Sequence, residues 1–174
     1  MILVSFGTRP EYIKLKPLMA EMKEEIPFKV LFTGQHTDLL SHIDGPITRL
    51  EIEDGTNRLD SIVSSMMNRD DIFEGIKAVI VQGDTNTALA GALATKKIAN
   101  KKYIIGKHIK LAHIEAGLRS FDNMMSEEIN RIIIDNLSDF LFAPTHIDYK
   151  NLVNENIDKS KIKITGNTVI DALK

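Results

Sequence analysis

The chain alternates between short apolar segments and longer stretches with helical spacing, and this alternation restricts the folds open to it. Short apolar runs bounded by turn residues are typical of strands that are buried on both faces. Such runs occur at residues 2–6, 29–33, 78–81, 110–114, 140–143 and 162–165. Strands that alternate with helices pair in parallel through right-handed crossovers, so we predict an α/β fold with a doubly wound parallel sheet.

Helical spacing fills the stretches between the apolar segments. Apolar residues recur every three or four positions over residues 15–26 and again over residues 59–67, which predicts two amphipathic helices packed on the sheet. Pro17 lies inside the first stripe, so that helix either kinks at Pro17 or begins there.

The composition restricts the setting in which such a fold works. The 174 residues, 43% of them hydrophobic, suffice for a substantial core, and we expect residues 1–174 to form a single domain. A formal net charge of −2 gives no overall basic field, so neither nucleic acid nor a membrane surface is expected as a partner. No segment approaches the roughly 20 apolar residues of a membrane span. Because the chain has no cysteine, disulfides and thiolate chemistry are excluded, and we expect a cytoplasmic protein.

Ligands of doubly wound sheets bind at the carboxyl ends of the strands, so the residues that follow the strands are the first place to look for a site. Those positions hold, in chain order, Gly7, Gly34, Gly83, Glu115 and Gly166. Glycine permits tight turns and a close approach of backbone to ligand. The sequence therefore predicts a site at this edge of the sheet.

The first of these turns carries cations. Gly7 is followed by Arg9, and Lys14 lies on the helix that the turn opens. Backbone amides at a helix start attract anions, so Arg9 and Lys14 would hold a phosphate or a uracil there. The alternative is an ordinary strand–helix turn with solvated cations. The turn matches neither the dinucleotide-binding glycine pattern nor a Walker loop.

Asp84 follows the third apolar segment. A carboxylate at a strand end that faces a cleft can exchange a proton with a substrate. Asp84 or Thr85 would alternatively be the N-cap of the alanine-rich helix that follows, and that role alone explains their residue types.

Acids and arginines are concentrated between residues 113 and 131. His113 and Glu115 alternate with Ile114, which predicts side chains that project to the same side of the strand. Gly117 permits a turn that brings Arg119 back toward the cleft. For His113, the alternative is a buried side chain with satisfied hydrogen bonds.

The helix that follows begins with polar residues. Ser126 is expected to cap it, and Glu127 and Glu128 suit its first turn. A salt bridge from Glu127 to Arg131, four residues later, would explain one of the two glutamates. A capped helix does not explain why carboxylates and arginines gather at strand ends, and this concentration indicates acid/base chemistry on an anionic substrate.

Motifs along the chain occur in an order that is typical of one enzyme family. They are GTRPE, TGQH, VQGDTNTALAGALA, HIEAGLRS, EEINR, APT and TGNTVIDAL, and the match runs over residues 2–174. The chain resembles the N-terminal half of the non-hydrolysing UDP-N-acetylglucosamine 2-epimerases. It departs from the family at Ser126, where proline is common, and in a longer connection over residues 100–110.

The resemblance implies a Rossmann-like domain of a glycosyltransferase-B-type enzyme, with the nucleotide sugar bound between it and a second domain that supplies most contacts to UDP. It implies interconversion of UDP-N-acetylglucosamine and UDP-N-acetylmannosamine through elimination and re-addition of UDP, without a metal or a nicotinamide cofactor. It also implies a homodimer. Because the second domain is not among these 174 residues, we expect little activity from them alone.

The resemblance also implies roles for individual residues. The acid/base set is matched by Asp84, Glu115 and Glu127, and which is acid and which is base stays open. The family's substrate contacts are matched by Arg9, Lys14 and Arg131. Arg119 and His113, which are singled out from the residues alone, are also expected to bind the substrate. Gln35 and His36 match a segment near a regulatory nucleotide-sugar site in bacterial relatives, although a loop needs no such role.

Two other functions stay open. One is a non-catalytic domain that binds a nucleotide sugar or a partner chain. The other is the acceptor domain of a glycosyltransferase with the same fold. Exchange of the proton on sugar carbon 2 is expected only from an epimerase.

Overall fold

The structure is a computed structural model that describes residues 1–34, 47–52, 58–101 and 108–173. Strands β1–β7 span Ile2–Phe6, Phe28–Phe32, Ile47–Arg49, Ala78–Gln82, Lys110–Ile114, Phe140–Ala143 and Ile162–Ile164. Helices α1–α6 span Arg9–Glu25, Arg58–Met67, Asn86–Lys101, Ser126–Leu137, His146–Asn154 and Thr168–Ala172. None of the helices in the described ranges is long and apolar enough to cross a membrane.

The order of the strands confirms the predicted doubly wound α/β fold. The sheet runs β3-β2-β1-β4-β5-β6-β7, and each neighbouring pair is parallel. The chain moves outward from β1 to β3, returns to the other side of β1, and continues outward from β4. The strand order therefore reverses between β1 and β4, and such a reversal opens a crevice between the loops that follow the two strands.

The six predicted strands are present, each with boundaries within one residue of the prediction, but β3 was missed. This strand has three residues, Ile47–Arg49, and pairs only with β2 at the edge of the sheet. A segment of that length is too short to show an apolar run or an alternation.

Helix α1 begins at Arg9 and continues through Pro17, so a start at Pro17 is wrong. Its start is defined by a capping box, in which Thr8 Oγ1 accepts from the backbone N–H of Glu11 and Glu11 Oε2 accepts from the backbone N–H of Thr8. The predicted second helix is α2, which buries Ile62 and Met66.

Helices cover both faces of the sheet. Leu3, Val79 and Leu111 are buried on the face that α2, α3 and α4 cover. Ile80 and Ile114, with alternate residues of β1 and β2, are buried on the face that α1 covers. Because successive side chains of a strand point to opposite faces, β5 carries Leu111 and His113 toward α3 and α4.

Candidate active site

A cleft lies at the carboxyl ends of β1 and β4, where the strand order reverses. It has a volume of about 300 Å³ and is lined by the loops after β1 and β4 and by the N-terminal residues of α2, α3 and α4. Its lining residues are Thr8, Arg58, Asp84, Thr85, Asn86, Thr87, Ser126, Glu127 and Asn130. Two of the predicted carboxylates, Asp84 and Glu127, therefore border the same space.

Asp84 is held by helix α4. Arg131 Nη2 lies 2.5 Å from Asp84 Oδ2, and Asn130 Nδ2 donates to the Asp84 carbonyl oxygen at 2.8 Å. Burial alone would lower the pKa of Arg131, but the bond to Glu128 and the charge of Asp84 outweigh it and raise that pKa. Arg131 is therefore the direct cationic partner of Asp84 and orients its carboxylate.

Glu115 is held by a lysine from the other side of the sheet. Lys14 Nζ lies 2.7 Å from Glu115 Oε2, and the side-chain amide of Gln82 donates to the same oxygen. Only 6% of the Glu115 side chain is exposed, against 28% for Lys14. Two of the predicted carboxylates thus each have a cation as a direct partner, and both cations were predicted site residues.

The predicted shared orientation of His113 and Glu115 is wrong. His113 contacts Asp135 of α4, whereas Glu115 contacts Lys14 of α1, which covers the opposite face of the sheet. Glu115 has a φ of 68°, in the left-handed region, so the regular alternation of the strand ends at Ile114. The backbone turn redirects the Glu115 side chain, and periodicity alone does not reveal such a turn.

The two glutamates at the start of α4 have different surroundings. Glu127 is exposed and accepts from Ser126 Oγ at 2.9 Å. Hydrogen bonds from its own backbone amide and from Ser126 lower the pKa of Glu127. Glu128 is 1% exposed and accepts from the backbone amides of Ser120 and Phe121 at 2.9 and 3.1 Å.

Two expectations about the start of α4 are therefore wrong. The salt bridge to Arg131 comes from Glu128, at 2.8 Å, and not from Glu127. The N-cap position is held by Met125, so Ser126 does not cap the helix and bonds to the Glu127 carboxylate instead. Glu128 is satisfied by the loop that folds back over it, which leaves Glu127 as the glutamate available to the cleft.

Glu11 was not predicted as a site residue, although it joins the two loops that border the cleft. Its Oε2 accepts from the backbone amides of Gly7 and Thr8 at 3.0 and 2.8 Å, and its Oε1 accepts from Thr85 Oγ1 at 2.6 Å. Burial raises the pKa of Glu11, although the bonds from Thr85, Gly7 and Thr8 act in the opposite direction. The pattern Thr-x-x-Glu before a helical stripe is the capping-box signature and would have identified this residue.

The backbone amides of the first turn have a partner within the chain, while the substrate-binding roles of Arg9 and Lys14 stay predictions. Because the amides of Gly7 and Thr8 donate to Glu11, they are occupied by a carboxylate of the same chain. Arg9 is exposed as the first residue of α1, while Lys14 is paired with Glu115. The cap of α3 is Thr85, whose Oγ1 accepts from the backbone N–H of Ala88 at 3.1 Å, so Asp84 does not serve as that cap.

Arg119 does not return to the cleft as predicted. Its side chain is 1% exposed, its Nη2 lies 2.8 Å from Asp135 Oδ2, and its guanidinium donates two bonds to the Glu155 carboxylate at 2.7 and 2.6 Å. The turn at Gly117, with a φ of 83°, carries Arg119 toward α4 and the end of α5. His113 is likewise fully buried, so these two predicted substrate contacts face the protein interior.

Three points about the site remain, namely the predicted regulatory residues, an arginine that was not predicted, and metal binding. Gln35 and His36, the predicted regulatory residues, lie outside the described residues. Arg58 was missed, although it lines the cleft and donates to the Thr33 carbonyl oxygen at 2.9 Å. In the described part of the chain, no three His, Asp or Glu side chains are grouped to hold a metal ion.

Comparisons with known proteins identify the family of the chain. The model of the family described as UDP-N-acetylglucosamine 2-epimerase matches residues 19–174. The chain belongs to this epimerase family. Its fold is accordingly a Rossmann-like domain of the glycosyltransferase-B type.

Individual members of the epimerase family match almost the whole chain. The UDP-N-acetylglucosamine 2-epimerase of Methanocaldococcus jannaschii is 38% identical over 97% of this chain and 46% of its own length. The solved structure of that enzyme matches with a TM-score of 0.84 and covers 98% of this chain and 46% of that one. The Neisseria meningitidis enzyme, solved with bound UDP-GlcNAc, has a TM-score of 0.84 at 36% identity, covering 99% of this chain and 47% of that one.

A relative with a different substrate name is equally similar. The UDP-2,3-diacetamido-2,3-dideoxy-D-glucuronate 2-epimerase of Pseudomonas aeruginosa is 38% identical over 95% of this chain and 47% of its own length. The chain thus spans about half the length of the curated relatives it matches.

Proposed function

We propose that this chain forms the N-terminal half of a non-hydrolysing epimerase that inverts carbon 2 of a UDP-linked 2-acetamido sugar, with UDP-N-acetylglucosamine and UDP-N-acetylmannosamine as the interconverted pair. The observation that carries the proposal is the pairing of Asp84 with Arg131 and of Glu115 with Lys14 at the ends of the adjacent strands β4 and β5. Two relatives with different substrate names are both named 2-epimerases of a UDP-linked sugar. Inversion at carbon 2 in either sugar involves the proton on the carbon next to the one that bears UDP.

The proposed reaction has two halves. A carboxylate removes the proton from carbon 2 while the bond from carbon 1 to UDP breaks, and the electrons of the C–H bond form a double bond between carbons 1 and 2. A carboxyl group then protonates carbon 2 from the other face, and UDP adds back to carbon 1. The proton and the diphosphate are both returned, so the reaction needs no net redox change.

The acid/base set in this proposal is Asp84, Glu115 and Glu127. Asp84 and Glu115 are each paired with a cation, and Glu127 is exposed at the cleft. In this proposal Arg131, Lys14 and Arg9 neutralise the charge that develops on the diphosphate as UDP leaves. Arg131 and Lys14 are the direct partners of Asp84 and Glu115. Most contacts to UDP are assigned to the second half of the protein.

The proposal is tested with the protein encoded by the complete reading frame that contains these 174 residues. We expect it to replace the carbon 2 proton of UDP-N-acetylglucosamine with deuterium in heavy water and to form UDP-N-acetylmannosamine, both followed by NMR. A folded protein that binds the substrate without this exchange would instead be a binding domain, and sugar transfer to an added acceptor without exchange would indicate a glycosyltransferase.

Two controls accompany this experiment. Glu24→Gln changes an exposed glutamate of α1 outside the cleft lining and should leave the exchange rate unchanged. The isolated 174-residue chain should exchange the proton far more slowly than the complete protein. An equal rate would contradict the assignment of the UDP contacts to the second half. Sedimentation of the complete protein tests the homodimer that the family resemblance suggests.

A further inference from the structure

His113 has hydrogen-bond partners that accept but cannot donate. Its Nδ1 lies 2.6 Å from Asp135 Oδ1 and its Nε2 lies 2.8 Å from the carbonyl oxygen of Gly83. The side chains of His113 and Asp135 are both fully buried. A neutral imidazole has one donor nitrogen and one acceptor nitrogen, so it satisfies only one of these two partners.

The other groups around Asp135 indicate whether His113 Nδ1 or Asp135 Oδ1 carries the proton of the bond between them. Asp135 Oδ2 accepts from the backbone N–H of Gly117 at 3.1 Å and lies 2.8 Å from Arg119 Nη2. A guanidinium at this distance favours the ionised carboxylate, so Asp135 is not the donor in its bond with His113. Glu155 supplies a second negative charge through its two bonds to Arg119, and a cationic His113 makes this group of four charges neutral.

The Gly83 carbonyl belongs to the turn that carries Asp84. Gly83 has a φ of 69°, and its N–H donates to the Ile114 carbonyl oxygen at 3.0 Å. Gln82 on one side of it binds Glu115, and Asp84 on the other side binds Arg131. His113 therefore binds the carbonyl of Gly83, which lies between Gln82, a partner of Glu115, and Asp84. Glu115 and Asp84 are both proposed acid/base residues.

We propose that His113 is an imidazolium in the folded protein and acts as a positioning residue that fixes the turn of Gly83 and, through it, Asp84 and Glu115. The charge of His113 and its contact with Gly83 do not depend on the proposed function. Only the purpose of the positioning, which is to align Asp84 and Glu115 for catalysis, rests on it. If His113 loses its charge, a lone pair faces either the Gly83 carbonyl or the Asp135 carboxylate, and the repulsion displaces the turn.

The charge state is tested directly on the 174-residue chain by ¹⁵N NMR of the histidine rings at neutral pH. We expect both ring nitrogens of His113 to carry a proton, each detected through its one-bond N–H coupling. His146, which is exposed at the start of α5, provides the comparison within the same spectrum. An unprotonated nitrogen on His113 would overturn the proposal, whatever the protein catalyses.

The positioning role is tested with His113→Gln, which keeps an amide donor but cannot be charged, against His146→Gln. In the chain, we expect the backbone amide signals of Gly83 and Asp84 to shift in the first variant and not in the second. Unshifted signals in folded His113→Gln would overturn the role. If that variant does not fold, the ring-nitrogen measurement on the unmodified chain still decides the charge.

In the complete protein, His113→Gln should lower kcat by about 10²-fold with KM unchanged, because a small displacement of reacting groups has an effect of this size. An unchanged kcat would overturn the positioning role. A complete unmodified protein without carbon 2 exchange would overturn the proposed function instead, and the two NMR experiments would still test His113.

Discussion

Lys14 Nζ lies 2.7 Å from Glu115 Oε2, although the two residues are 101 positions apart in the chain. The contact joins the second turn of α1 to the end of β5. Helix α1 follows β1, and β5 lies beside β4, so the contact lies near the reversal of strand order between β1 and β4. Gln82 binds the same carboxylate oxygen from β4. Three separate elements therefore define the position of this one carboxylate, as acid/base chemistry requires.

Replacing Glu115 tests this arrangement. We expect Glu115→Gln to lower the turnover of the complete protein by about 10²–10⁴-fold, because an amide cannot take up a proton. The free energy of unfolding should fall by only about 1–2 kcal/mol, since the amide oxygen still accepts a hydrogen bond. Turnover and denaturant unfolding measured side by side separate these effects. An unchanged turnover would remove Glu115 from the catalytic set.

The neighbouring glutamates of α4 should respond in opposite ways. Glu127→Gln changes an exposed side chain, so the free energy of unfolding should change by less than about 0.5 kcal/mol while turnover falls. Glu128→Gln weakens bonds to Ser120, Phe121 and Arg131, and should cost about 1–3 kcal/mol of stability. If Glu127→Gln left turnover intact, the acid/base set would be reduced to Asp84 and Glu115.

Glu128 should also make the stability depend on pH in acid. Burial opposes its ionisation, but the bonds from Ser120, Arg131 and Phe121 outweigh burial and lower its pKa from 4.5 to about 2. The stabilisation by ionised Glu128 is complete above pH 4.5 and is lost as the pH falls toward 2. Unfolding of the unmodified chain and of Glu128→Gln should therefore differ most near neutrality and converge in acid. A constant difference would contradict this assignment.

Glu11 should show the opposite dependence. Burial raises its pKa above the usual 4.5, so the unfolded chain ionises it at a lower pH than the folded chain does. As the pH rises above 4.5, the unmodified chain should lose stability relative to Glu11→Gln, which does not titrate. Glu11→Ala, which removes the acceptor for Gly7 and Thr8, should be less stable than either at every pH. The check is denaturant unfolding of the three chains from pH 4.5 upward.

Arg119 should behave as a structural residue. We expect Arg119→Ala to lower the free energy of unfolding by about 3–5 kcal/mol, because it leaves the buried Asp135 carboxylate without its guanidinium. Arg69→Ala is the matched control, since Arg69 and Asp71 form a pair in which both side chains are largely exposed, worth less than about 1 kcal/mol. Equal losses from the two variants would contradict the burial of the Arg119 pair.

The prediction of the fold depended on local patterns, and it was correct where those patterns are long enough. Five-residue apolar segments such as Ile2–Phe6 and Lys110–Ile114 were identified with their observed bounds. The three-residue strand Ile47–Arg49 was not, because its pairing with β2 is a contact between distant segments.

Side-chain directions at the site were predicted less well, because they too depend on contacts between segments that are distant in the sequence. His113 and Glu115 point to opposite faces of the sheet because the backbone at Glu115 is in the left-handed region. In that conformation the Glu115 carboxylate contacts Lys14 and Gln82. The burial of Arg119 depends on Asp135 and Glu155, which lie on α4 and at the end of α5. No pattern in the segment 113–119 contains these partners.

By itself the sequence determined the α/β class, the chain order of the long elements, and which strand ends carry carboxylates and cations, because apolar periodicity and turn residues act over a few neighbouring positions. Only the tertiary structure decided which of these groups meet. Glu127 and Glu128 are adjacent and chemically identical, yet one is exposed at the cleft while the other is buried beneath Ser120 and Phe121. Their difference arises because a folded-back loop removes water from one carboxylate and supplies it with donors, and such contacts exist only once the chain has folded.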